Sequence, residues 1–123
     1  MEEIHTSNAP EAIGPYSQAI RSGGLVFTSG QIPLSPTTGE LVGDDIVSQA
    51  EQVMKNVQAI LEAAGSGLER TVKTTCFLAD MSDFAQFNQV YAKYFTQKPA
   101  RSCVAVKELP KQVLCEVEVV AEV

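Results

Sequence analysis

Two side chains late in the sequence have the types and the setting to do chemistry. Arg101 lies in Lys98-Pro99-Ala100-Arg101-Ser102-Cys103-Val104-Ala105-Val106, and Glu116 lies in Cys115-Glu116-Val117-Glu118. A guanidinium grips a carboxylate or phosphate through two parallel hydrogen bonds, so Arg101 is suited to a small anion. A neighbouring carboxylate such as Glu116 can orient or deprotonate a water next to that anion. Spacing leaves a second reading open, in which the two simply neutralise each other as an ion pair.

Other chemistries find less support. The three cysteines, Cys76, Cys103 and Cys115, form no C-x-x-C, and with a single histidine there is no structural zinc spacing. The expectation is reduced thiols in a cytoplasmic protein without a metal. His5 has no visible partner to make it a catalyst. The acidic start, Met1-Glu2-Glu3-Ile4-His5, lacks the apolar core of a signal peptide, and no apolar run is long enough for a membrane span. A net charge of −6 disfavours broad binding to nucleic acid or anionic lipid. With 123 residues, 45% of them apolar, the chain is expected to form one domain over residues 1–123.

Several elements must position Arg101 and Glu116. Ile4 to Ser7 reads as a short edge strand, followed by a turn-rich connector from Asn8 to Pro15 and then Tyr16. Ser17–Arg21 and Leu25–Ser29 read as strands of a hairpin joined through Ser22-Gly23-Gly24. Gly30, just past the second strand, allows a backbone or ligand to come close. Pro33 to Gly43 reads as a loop. From about Asp45 to Ala64, Ile46, Val47, Ala50, Val53, Met54, Val57, Ile60, Leu61 and Ala64 form one helical stripe, capped by Asp44 or Asp45 and ended by Gly65. Thr71 to Ala79 is strand-like. A second helix, capped by Ser82 and running to about Phe95, turns Phe84, Phe87, Tyr91, Tyr94 and Phe95 one way. The pattern predicts an α+β fold, a mostly antiparallel or mixed sheet with both helices on one face.

Arg101 to Val106 and Val113 to Val123 are separated by a short connection, which favours an antiparallel pair. In the last strand Val113, Cys115, Val117, Val119, Ala121 and Val123 alternate with Leu114, Glu116, Glu118, Val120 and Glu122. Matching Val104 and Val106 to the apolar set puts Arg101 and Cys103 on the face of Glu116 and Glu118. The same parity sets Cys103 and Cys115 on opposite faces, without a disulfide. The mixed face is expected to be an oligomer interface containing a pocket.

The motifs Asn8-Ala9-Pro10, Ile13-Gly14-Pro15-Tyr16-Ser17-Gln18, Thr28-Ser29-Gly30-Gln31-Ile32-Pro33 and Val72-Lys73-Thr74-Thr75 occur in order. Phe84 through Asn88 to Tyr91, Pro99-Ala100-Arg101-Ser102-Cys103-Val104 and Leu109-Pro110 leading into Glu116-Val117-Glu118 complete the set. Together they resemble the reactive-intermediate deaminase family (Rid, or YjgF-like) nearly end to end. The resemblance implies a chorismate-mutase-like fold assembling as a homotrimer with clefts between subunits. It implies hydrolysis of 2-aminoacrylate-type enamines and imines, released by pyridoxal-phosphate enzymes, to 2-keto acids and ammonia, with no cofactor. Carried over, Arg101 would bind the substrate carboxylate and Glu116 the attacking water. The backbone near Cys103 and Gly30 would contact the anion and imine. Tyr16 and Ser29 would line the cleft from a neighbouring subunit, and Asn88 would give structural support. Lys98 stands before Pro99, where many relatives have an aromatic residue on a longer connector, so the cleft rim differs here.

Two other functions share these clefts. One is an endoribonuclease or translation inhibitor, which the acidic charge opposes. The other is a non-catalytic small-ligand sensor or chaperone-like module.

Overall fold

The computed structural model describes all 123 residues. Its six strands are β1 (Glu2–Ile4), β2 (Ala19–Ser22), β3 (Leu25–Thr28), β4 (Thr71–Leu78), β5 (Ala100–Ala105) and β6 (Cys115–Glu122). Two helices, α1 (Ile46–Ala63) and α2 (Phe84–Tyr94), pack on one face of the sheet. The sheet order is β1-β2-β3-β6-β4-β5, with β4 and β5 parallel and all other pairs antiparallel. The α+β class expected from the pattern is therefore the observed one. No helix is long and apolar enough to cross a membrane.

The clear local signals produce the expected elements. Gly23 and Gly24 both have positive φ, 61° and 82°, which is the two-residue turn whose twist suits a hairpin. Ser22 then pairs directly with Leu25. On α1, Val53, Met54, Val57, Ile60 and Leu61 are completely buried, each contributing about 1.5–3 kcal/mol. Asp45 is the N-cap and accepts from the Ser48 amide at 2.8 Å, and Gly65 (φ 82°) ends the helix. Strand β6 shows the expected alternation, with Cys115, Val117, Val119 and Ala121 buried.

Other expectations need correcting. β1 begins earlier than Ile4–Ser7, and Asp80 rather than Ser82 holds the start of the α2 region, accepting from the Ser82 amide at 2.8 Å. The larger correction concerns β5. It does not pair with β6; it runs parallel to β4 at the sheet edge, with Thr74 opposite Arg101 and Cys76 opposite Cys103. A strand, a helix and a strand in succession place β4 and β5 in parallel, as a crossover connection allows and a hairpin does not. The antiparallel partners of β6 are β3 and β4, with Thr74 opposite Val119 and Phe77 opposite Glu116.

Residues directly opposite share a face. Arg101, Thr74 and Val119 therefore face the helices. Glu116, Glu118, Thr75, Phe77, Ser102 and Val104 occupy the other, open face. Arg101 and Cys103 are not on the face of Glu116 and Glu118, and Val104 is exposed rather than core. Cys103 and Cys115 share the helix-covered face, because both align with the Cys76 and Leu78 set of β4.

Candidate functional site

Arg101 is half-buried at the end of the sheet where α2 covers β4 and β5. Its Nη1 donates to Asn88 Oδ1 at 2.7 Å. The guanidinium carbon lies 4.7 Å from the Tyr91 ring centroid and 5.5 Å from that of Phe84, within cation–π range of both. The Tyr91 hydroxyl is itself fixed, 2.7 Å from Thr74 Oγ1 in the core. Burial pushes the Tyr91 pKa up, and the nearby Arg101 charge partly offsets this. The second helix is anchored in turn by Glu51 of α1, which pairs with Lys93 and accepts from the Tyr94 hydroxyl at 2.5 Å. Together these contacts leave the guanidinium few rotamers.

Within one chain this cation has no counter-ion: the three ion pairs of the chain are His5–Glu11, Arg21–Glu2 and Lys93–Glu51. Arg101 and Glu116 of the same chain do not pair. Only one of the five N–H donors of Arg101 has a protein acceptor, which leaves a fork able to receive an anion.

Glu116 lies on the opposite face, half-buried against Gly30. A Cβ placed on Gly30 would stand 1.9 Å from Glu116 Oε2 and 2.8 Å from its Cδ. The absence of a side chain at Gly30 therefore makes room for this carboxylate. Gly30 is held beside β6 by its neighbour: the Gln31 amide donates to Val117 O at 2.8 Å, and the Val117 amide donates back at 3.1 Å. Burial raises the pKa of Glu116, and the like charge of Glu118 raises it further. Such a carboxyl group is tuned toward exchanging a proton nearer neutrality than an exposed one.

Tyr16 and Gly30 line a cavity of about 270 Å³ whose walls include Ile13, Ile32, Leu34 and Lys111. Ser29 adjoins this region, with its amide donating to Gln18 O at 2.9 Å and its hydroxyl to Ser17 O at 2.6 Å. The sequence-derived residues thus fall into two groups. Tyr16, Ser29, Gly30 and Glu116 cluster around one end of β6. Arg101, Asn88 and Cys103 lie on the helix side of β5. Arg101 and Glu116 are two strands and three residues apart, about 14 Å between Cα atoms, and face opposite ways.

Three buried polar residues that set this geometry escaped the reading of the sequence. Gln18 accepts from the Thr6 amide at 2.8 Å and donates to Pro10 O at 2.7 Å, pinning the connector that walls the cavity. Asn56 donates to Ile32 O (3.1 Å) and Leu34 O (3.0 Å), fixing the loop after Gly30. Gln49 accepts from the Leu114 amide at 2.8 Å, next to the start of β6. The available signal was polar residues seven apart, Gln49 and Asn56, inside the apolar stripe of α1.

Comparison with known proteins gives a consistent result. The family described as endoribonuclease L-PSP matches residues 6–123. A RutC family protein of Pyrococcus horikoshii is 55% identical over 121 residues, covering 98% of this chain and 96% of that protein. The structure of a Rid family protein from Yersinia pestis superposes with a TM-score of 0.96 at 50% identity, covering 99% of this chain and 98% of that one. Escherichia coli TdcF, solved with bound serine, superposes with a TM-score of 0.95 at 45% identity, covering 100% and 99%.

Proposed function

The chain belongs to the endoribonuclease L-PSP family, whose matched members also carry the names RutC and Rid, and from that membership we propose a hydrolytic deaminase. Its substrates would be 2-aminoacrylate-type enamines and their imine tautomers, and its products 2-keto acids and ammonia. The supporting observation is the Arg101 guanidinium, oriented by Asn88 and Tyr91 and left without a carboxylate partner. The serine bound to TdcF is a small amino acid of the same carboxylate-bearing class.

A working site needs Arg101 and Glu116 together, and one chain holds them apart on opposite faces. Our reading is a homotrimer in which the free edge at β5 of one protomer meets the Gly30–Glu116 region of the next. An interface of this head-to-tail kind closes into a ring when its rotation allows. Exposed Val104 and Phe27 on the open face suit such a covered surface.

In this cleft Arg101 would hold the substrate carboxylate through its free N–H groups. Glu116 would accept a proton from water as the oxygen adds to the carbon of the protonated imine, giving a neutral carbinolamine. It would return that proton to nitrogen and take up the hydroxyl proton as the C–N bond breaks, so that ammonia leaves and the C=O of the keto acid forms. Backbone amides near Gly30 and Cys103 would bind developing charge, with Tyr16 and Ser29 as walls and Asn88 as support. Imines add water readily, so positioning and charge stabilisation carry the rate without metal or organic cofactor. An RNA-cleaving role is the weaker reading, because Glu116, Glu118 and Glu122 make the open face repel phosphates.

A pyridoxal-phosphate serine or threonine dehydratase supplies the unstable intermediate for the test. Wild-type protein is expected to accelerate keto-acid release, while folded Arg101→Ala gives the rate of buffer. Wild-type protein no better than buffer rejects the deaminase reading.

A further inference from the structure

The function proposed above leaves the cysteine thiols unused. Cys76 of β4 and Cys103 of β5 are directly opposite in register and share the helix-covered face. Neighbouring strands run about 4.8 Å apart, inside the Cα spacing of about 4.4–6.8 Å that a disulfide spans. Cys115 is excluded by the same geometry. Its register partner is Leu78, two residues along β4, so its Cα stands about 8 Å from that of Cys76 and about 12 Å from that of Cys103. All three thiols are free. Only Cys103 is partly exposed, and Cys76 is completely buried. The pair thus has one thiol that a small oxidant reaches and one that waits behind it.

We propose that Cys76 and Cys103 are a modification site for hydroperoxides, closing into an intramolecular disulfide that clips β5 to β4 beside Arg101. The Cys103 thiolate attacks the peroxide oxygen, forming a sulfenic acid and releasing water, or an alcohol from an organic hydroperoxide. Cys76 then attacks the sulfenic sulfur and displaces a second water. Two thiols lose two electrons and the peroxide gains them. Burial holds both thiols above the ordinary cysteine range, Cys76 at about 12, with Arg101 partly countering this at Cys103. The reaction is therefore slow and needs oxidant in excess. The Thr74–Arg101 pair lies two residues away on the same face, so the clip alters the seat of the guanidinium. That consequence for activity rests on the deaminase reading; the crosslink does not.

The test treats the folded full-length protein with hydrogen peroxide, alkylates it under denaturing conditions and digests it with trypsin without reduction. Cleavage after lysine and arginine places the cysteines in separate peptides, Thr74–Lys93, Ser102–Lys107 and Gln112–Val123. The expected product is the first peptide linked to the second within one chain, with Cys115 alkylated. In Cys76→Ala the same treatment carries Cys103 on to sulfinic acid without a link. The crosslinked wild type loses keto-acid release and regains it with dithiothreitol. Wild-type Cys103 reaching sulfinic acid with Cys76 alkylated, or any link through Cys115 or between chains, overturns the proposal whatever the activity shows.

Discussion

Gly30→Ala separates the fold from the chemistry, because its two effects have opposite signs. Gly30 does not have positive φ, so alanine fits its backbone. Restricting the unfolded chain in this way stabilises a protein by about 0.4–1 kcal/mol. For a domain of this size the gain is about 1–5 °C in Tm. The new methyl group, however, would stand 1.9 Å from Glu116 Oε2, and ordinary contact begins near 3.4 Å. The carboxyl group must retreat by about 1.5 Å, which its flexible side chain allows at little cost to the fold. A displacement of about 1 Å at a reacting group costs on the order of 100-fold in rate. We expect Gly30→Ala to melt no lower than wild type, keep its assembly state in size-exclusion chromatography, and release keto acid about 100-fold more slowly in the dehydratase-coupled assay. A variant that keeps full activity would show that the place of Glu116 does not matter. One that unfolds would show that Gly30 serves the backbone instead.

Two further substitutions probe the same arrangement. Glu116 has a raised pKa, so between the ordinary carboxylate value and that raised value the folded state holds a proton the unfolded state has lost, and stability falls as pH rises. Glu116→Gln should therefore unfold at higher denaturant than wild type at pH 7, lose that advantage below the ordinary carboxylate range, and be inactive; equal stability at every pH would refute the assigned burial. Thr74→Val removes the partner of the buried Tyr91 hydroxyl, at a cost of about 1–3 kcal/mol. The shelf beneath Arg101 loosens, so KM should rise more than kcat falls, and an unchanged KM would detach Tyr91 from substrate binding.

Local physics made much of this legible from residues alone. The 3.6-residue stripe of α1, the Gly23-Gly24 turn and the two-residue alternation of β6 each depend on neighbours in sequence, and each is found in the structure. The partner of β5 depends on distant contacts. The link from β5 to β6 is short, but Lys111 and Gln112 at φ 55° and 54° form a compact turn that leads the chain away, and β6 inserts between β3 and β4. Taking Val104 for a core residue, when it is exposed on the open face, put Arg101 on the wrong face. The side-chain types of the two clusters were legible; their separation across the sheet was not. The buried amides of Gln18, Gln49 and Asn56 were hidden for a related reason, since their acceptors and donors lie in loops whose paths the sequence does not specify.

In the proposed homotrimer each cleft takes Arg101 from one protomer and Glu116 from the next, and mixing two inactive variants tests this sharing. Arg101→Ala and Glu116→Ala each remove one half of every cleft. Unfolded together in equal amounts and refolded, they form assemblies in which an intact Arg101 meets an intact Glu116 at about one cleft in four, provided the two come from different chains. Recovery of about a quarter of wild-type keto-acid release is the expected result. No recovery from mixed assemblies that size-exclusion chromatography shows to be intact would place both groups in one chain and contradict the shared cleft.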